Sequence, residues 1–157
     1  MTELGRLRAV LDTNVVFAGL FSRNSRSPTA EILRRWYGGE FDLLYCEDLR
    51  LEYREKLMAA NINPVHRARF LARLARLGIR VPLSPVEVLP RVPADPDDDV
   101  VIACALVGGA THLVTYNPHL LSLDEEYQGM CILDGLHFLY ILRGDVPLQG
   151  NSPRPPG

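Results

Sequence analysis

Lysine is almost missing from this chain of 157 residues: Lys56 is the only one, and apart from four histidines every other basic side chain is arginine. The bias alone decides nothing, because genome composition can produce it, although arginine's planar fork donates in pairs and reads phosphate well. Cysteine is sparse too. Cys46, Cys104 and Cys131 make an odd count, and the last two sit in apolar strings, so buried free thiols are expected rather than a disulfide framework. There is no CxxC and no His-x-x-x-His pair, which argues against a structural zinc. No apolar run approaches the length of a bilayer span, and the start, MTELGRLRAVLD, has no long apolar leader core. A cytoplasmic protein with no membrane partner is expected. Excess positive charge is also lacking: the net charge is −2, so any nucleic-acid surface has to be local.

What is present is the balance of a folded domain, 47% hydrophobic and 23% charged. The length suits one domain with a substantial core. Strands are expected at 7–11, 41–45, 111–115 and 130–133, and helices at 14–21, from Pro28 to the Gly38-Gly39 stop, 47–59, from Pro64 to Gly78, 118–123 and 136–143. Two β-prone stretches, 79–83 and 86–89, are cut up by Pro82, Pro85 and Pro90, so one of them reads as an edge or a linker. Asp95-Pro96 announces another helix, an acceptor at the cap and proline at the first position, whose VVIACALV run is apolar on nearly every side and therefore buried. Strands alternating with helices imply a mostly parallel sheet covered on both faces. A flexible N-terminus (1–6), one domain (7–143) and a disordered proline-rich tail (144–157) complete the expected organisation.

Four acidic or acid-like positions stand out: Asp12 in LDTN, Glu52 in LRLEYREKL, Asp98 in DPDDDVVIACAL and Asn117 in LVTYNPHLL. Asp12 and Asn117 follow strands, where open parallel sheets form their sites. Each residue has an ordinary explanation as a helix-end acid, a solvated face or a turn. Together they read as one carboxylate site. Two carboxylates repel by about 4 kcal/mol at ~4 Å for an effective dielectric of about 20, so such a cluster needs a cation. Oxygen-only ligands select hard ions such as magnesium or manganese, which activate water and neutralise a phosphodiester under attack.

In sequence order, LDTNVVFAGL, EDLRLEYREKL, DPDDDVVIACALVGGATHLVT and YNPHLL resemble the motifs of the PIN domain, especially the VapC-like toxins of bacterial toxin–antitoxin pairs. The resemblance spans roughly Leu7 to Arg143. It implies a three-layer α/β/α sandwich around a mostly parallel sheet and a magnesium- or manganese-dependent endoribonuclease. Carried over residue by residue, it makes Asp12, Glu52, Asp98 and Asn117 catalytic and Asp12, Glu52 and Asp98 the metal ligands. Thr13, Asn14, Asp95, Asp99 and Thr115 would support them, Asp99 standing where the family's D-x-x-D-N segment has asparagine. The resemblance also implies a small antitoxin partner and a homodimer. One departure matters. Where many members have T-x-D, this chain has Thr115-Tyr116-Asn117, so the fourth acid is an amide that can offer oxygen but no charge. Three carboxylates and one divalent ion leave a formal site charge of about −1, and a second ion would be held more weakly.

A phosphatase with Asp12 as nucleophile needs an acid at Asn14 and is set aside. A catalytically silent RNA- or protein-binding module remains the alternative. For RNA, Arg69, Arg73, Arg76 and Arg80 recur at helical spacing after Pro64, and Arg23 and Arg26 lie in the polar loop SRNSRSP. Of the histidines only His119, close to Asn117, is placed to touch the site.

Overall fold

A computed structural model describes residues 6–145. Along the chain run β1 (Arg8–Leu11), α1 (Thr13–Phe21), α2 (Pro28–Tyr37), β2 (Asp42–Tyr45), α3 (Glu47–Ala59), α4 (Pro64–Leu77), β3 (Ile79–Arg80), α5 (Pro96–Val107), β4 (His112–Val114), α6 (Pro118–Leu121), β5 (Glu126–Tyr127), β6 (Met130–Leu133) and α7 (Gly135–Arg143). The sheet order is β3-β2-β1-β4-β6-β5, parallel throughout except that β5 runs antiparallel to β6. Helices flank it in a PIN-like α/β/α sandwich, the architecture expected from the sequence.

The central strands are apolar because both faces are covered: Ala9, Val10, Leu11, Leu43, Leu44, Leu113 and Val114 are fully buried. α5 lies against β1, β2 and β4 with every residue from Val101 to Ala105 buried, as its all-round apolar pattern requires. α1 crosses α2 closely at Gly19, where a Cβ would stand 2.7 Å from Leu33 Cδ1 and 2.9 Å from the Thr29 carbonyl. Glu31 of α2 accepts from Arg143 of α7 and from Arg35, and those guanidiniums hold its carboxyl down at about 2.

The two proline-cut stretches resolve into a linker and a short edge strand, and one further strand is unexpected. Residues 86–89 form no strand; Pro85–Glu87 is a single 3-10 turn, closed by Ser84 N donating to Glu87 Oε1 at 2.8 Å. The prolines on either side supply no ladder donors. The stretch 79–83 pairs at the sheet edge through Ile79 and Arg80, with Val81 N donating to the Tyr45 carbonyl at 2.7 Å. At the opposite edge, β5 is an additional two-residue strand in a polar segment. All three cysteines are free, Cys46 and Cys104 buried and Cys131 half-buried. Among the described residues no helix is long and apolar enough to cross a membrane. The expected N-terminal stretch through residue 5 and the expected tail from 146 onward lie outside the described residues.

Candidate functional site

The chain leaves β1 for β2 and β3 on one side of the sheet and returns to β4 on the other, so the carboxyl ends of β1 and β4 flank a topological switch point. Asp12 ends β1 there and caps α1, its Oδ1 accepting from Thr13 N at 2.8 Å. Its other oxygen, Oδ2, accepts from Thr115 Oγ1 at 2.7 Å, just past β4. The same hydroxyl oxygen receives Asn117 N at 3.0 Å. Asn117 in turn caps α6, its Oδ1 accepting from His119 N at 2.9 Å, and its Nδ2 donates to Asp98 Oδ2 at 2.8 Å. The amide orientation is set by chemistry, since a flip would face oxygen with oxygen and N–H with N–H. A continuous relay thus runs from Asp12 through Thr115 and Asn117 to Asp98.

Asp98 sits in the first turn of α5, which starts as its sequence announces, with Asp95 Oδ1 accepting from Asp97 N at 3.0 Å and Pro96 at the first position. Glu52 comes from α3. Its neighbour Tyr53 is fully buried and donates from its hydroxyl to the Leu11 carbonyl at 2.5 Å, which ties the Glu52 segment to the strand end that carries Asp12.

Asp12, Thr13, Asn14, Glu52, Asp95, Asp98 and Asn117 line one pocket of about 420 Å³. Glu55, Lys56 and Asp97 line it as well, three residues the motif reading passed over although 52, 55 and 56 share a helix face by spacing. Asp99 does not line it. Its Oδ1 accepts from Arg91 N and Val92 N at 2.8 and 2.7 Å, anchoring the loop before α5. Nor do Arg23, Arg26, Arg69, Arg73, Arg76 or His119. Arg73 packs its guanidinium over the Tyr37 ring, 4.0 Å from the centroid, and Arg80 lines a second pocket near Cys46.

The acids feel one another. Asp98 is only 5% exposed, and its carboxyl is pushed up to about 6, first by desolvation and then by Asp95 and Asp12, while Asn117 and His119 pull it down. Glu52, at the rim, is raised by desolvation against the nearby Thr13 hydroxyl, with Asp12, Asp97 and Asp98 adding repulsion. Among the described residues none of Asp12, Glu52 and Asp98 makes an ion pair.

Among the described residues no three histidine, cysteine or acidic side chains converge tightly enough to grip a metal ion as placed. The donor chemistry nevertheless suits one. Among the described residues Glu52 and Asp98 Oδ1 accept no hydrogen bond of good geometry and Thr13 Oγ1, buried in the pocket wall, has no hydrogen-bond partner, and every candidate ligand atom is oxygen.

A family model described as PIN domain matches residues 8–119. No curated protein matches the chain. Among solved structures, the crystal structure of PAE2754 from Pyrobaculum aerophilum shares the fold with a TM-score of 0.59 at 18% identity, over 91% of this chain and 99% of that one. With the pocket at the switch point and the motif residues around it, this chain belongs to the PIN domain family, whose fold is generally a nuclease fold.

Proposed function

We propose that this PIN domain is an endoribonuclease that hydrolyses RNA phosphodiester bonds with magnesium or manganese. One observation carries the reading: Asp12, Glu52 and Asp98, remote in sequence, line one pocket at the sheet's switch point, and among the described residues no cation is paired to any of them. Asp12, Glu52 and Asp98 would hold the ion, with Thr13 Oγ1 as the neutral oxygen beside them. Such an ion supplies charge neutralisation on the phosphodiester and acidifies water. The chain's own part is positional. Thr115 and Thr13 N fix both oxygens of Asp12, Asn117 fixes one oxygen of Asp98, and Tyr53 keeps α3 against β1. Glu52, at the rim, would turn one oxygen to the ion and the other to a water whose proton it can take.

The resemblance to the toxin group extends the proposal to the toxin of a type II pair, acting in the cytoplasm as a homodimer and restrained by a small antitoxin. Asn117 supports a second reading, a catalytically weak or silent module, because both ends of its amide are engaged and it brings no fourth charge.

The experiment is incubation of the full chain with single-stranded RNA. Cleavage in magnesium or manganese, abolished by chelator and restored by the ion, is the expected result. Cleavage that survives exhaustive chelation, or that only zinc supports, contradicts the metal assignment. RNA bound but left uncut favours the silent module.

A further inference from the structure

Lys56, the only lysine in the chain, lines a pocket that also holds six carboxylates, yet among the described residues it pairs with none of them. Its Nζ lies instead over the Phe17 ring, 5.3 Å from the centroid. Phe17 is itself stacked on Phe21, with centroids 5.2 Å apart and planes 16° from parallel. The outer ring, Phe21, is 60% exposed. α1 starts in the pocket wall at Thr13 and carries these rings one and two turns along, so Phe21 stands about 12 Å up the helix at 1.5 Å per residue.

A single exposed phenylalanine is ordinary on a protein surface. Here the exposed ring tops a preformed stack beside an unpaired ammonium at the lip of an acidic pocket. Six carboxylates in the lining repel an approaching polyanion, and Lys56 is the one basic side chain among the lining residues. A base, being neutral, can lie on the ring without meeting that repulsion. Arg23 and Arg26 follow Phe21 in the exposed loop between α1 and α2. A duplex keeps its base faces stacked inside and offers none to a protein ring.

We propose that Phe17, Phe21 and Lys56 form a docking ledge for one unpaired nucleotide of a single-stranded chain, the base on Phe21 and the adjoining phosphate on Lys56. The ledge rests on the nuclease reading and adds to it the selection of single strands over duplex.

The test is binding of an unstructured, labelled single-stranded RNA to the full chain in chelator, so that no cutting intervenes, with a duplex of the same sequence as control. Phe21→Ala and Phe21→Leu should each weaken single-strand binding about five- to a hundredfold, the range for loss of one base stack, while Phe21→Trp stays near wild type. Duplex binding should not follow Phe21 at all. Lys56→Gln should lower the slope of log affinity against log salt by about 0.7, the share of one phosphate contact on a single strand. Wild-type binding by Phe21→Leu overturns the ledge, since an apolar docking surface for a protein tolerates leucine and a base stack does not. Equal losses on single strand and duplex overturn it as well. A wild-type protein that binds no single strand in chelator overturns the ledge, whereas the nuclease reading stands or falls on metal-dependent cleavage.

Discussion

Replacing Asp98 by asparagine should stabilise the metal-free protein, and by an amount that depends on pH. Desolvation and the charges of Asp95 and Asp12 lift the Asp98 carboxyl from 3.8 to about 6. A shift of that size corresponds to about 3 kcal/mol at 1.36 kcal/mol per unit, an upper bound for a pocket open to water. The folded state holds this proton more tightly than the unfolded chain. Its contribution to stability is therefore complete below about pH 4, is lost as pH rises through about 6, and stays lost above that. The amide of the Asp98→Asn variant has no such proton to lose, and its carbonyl oxygen can still accept from Asn117 Nδ2. The stability difference between Asp98→Asn and wild type should widen in favour of the variant between about pH 4 and pH 7, by roughly 1–3 kcal/mol, or several degrees in Tm for a domain of this size. Thermal or urea unfolding in chelator across that range reads it directly. Parallel pH profiles for the two proteins would refute the claim that Asp98 is ionised at a cost inside a repelling cluster.

Asn117→Asp would set a carboxylate where an amide now donates to Asp98 at 2.8 Å, while its oxygen could still cap α6. Calorimetric titration should show tighter manganese binding or an added site, and chelated samples should unfold earlier than wild type; no change in either means that this side chain does not act on Asp98. Tyr53→Phe removes the donor to the Leu11 carbonyl and should lower stability by about 1–2 kcal/mol, with weaker metal binding as α3 loosens from β1. A variant with wild-type urea midpoint and metal affinity would show the bond to be idle. Gly19→Ala forces a methyl against Leu33 and the Thr29 carbonyl, and a loss of about 1–3 kcal/mol is expected from the α1–α2 crossing. An unchanged midpoint there would mean that the two helices can part freely.

Local signals were legible in the sequence. Asp95-Pro96 predicts its helix start because cap and proline act on neighbouring backbone, and the apolar strands are recognisable because both faces of a parallel sheet are buried. β5 left no such trace: two residues in a polar segment pair only because β6 lies alongside. The turn at Pro85–Glu87 depends on one glutamate reaching back to Ser84, which a β-prone composition conceals. In the site, Asp98 and Asp99 differ by about 100° around the helix. The motif could not decide that one meets Asn117 and the other the Arg91–Val92 backbone. The expected arginine stripe is shorter in α4, which carries Arg69, Arg73 and Arg76 but ends at Leu77 and leaves Arg80 to β3; Phe70 and Leu74 are buried in that helix, Phe70 against Trp36 and Tyr53, while Leu77 is exposed. Lys56 was accessible by spacing from Glu52, yet its release from ion pairing shows only once Phe17 is beneath it.

If phosphodiester chemistry resides in the pocket where β1 and β4 end, Asp12→Asn should abolish it. Single-turnover cleavage of single-stranded RNA in manganese should fall by at least a hundredfold, on the order of a lost preorganised electrostatic group, while circular dichroism and the unfolding midpoint report an intact fold. The amide oxygen introduced by that substitution can accept from the Thr115 hydroxyl or from Thr13 N but not from both, so the unfolding midpoint is needed to separate a lost charge from a lost cap. A folded Asp12→Asn protein that cuts RNA at the wild-type rate with the same metal requirement would put the chemistry outside this pocket.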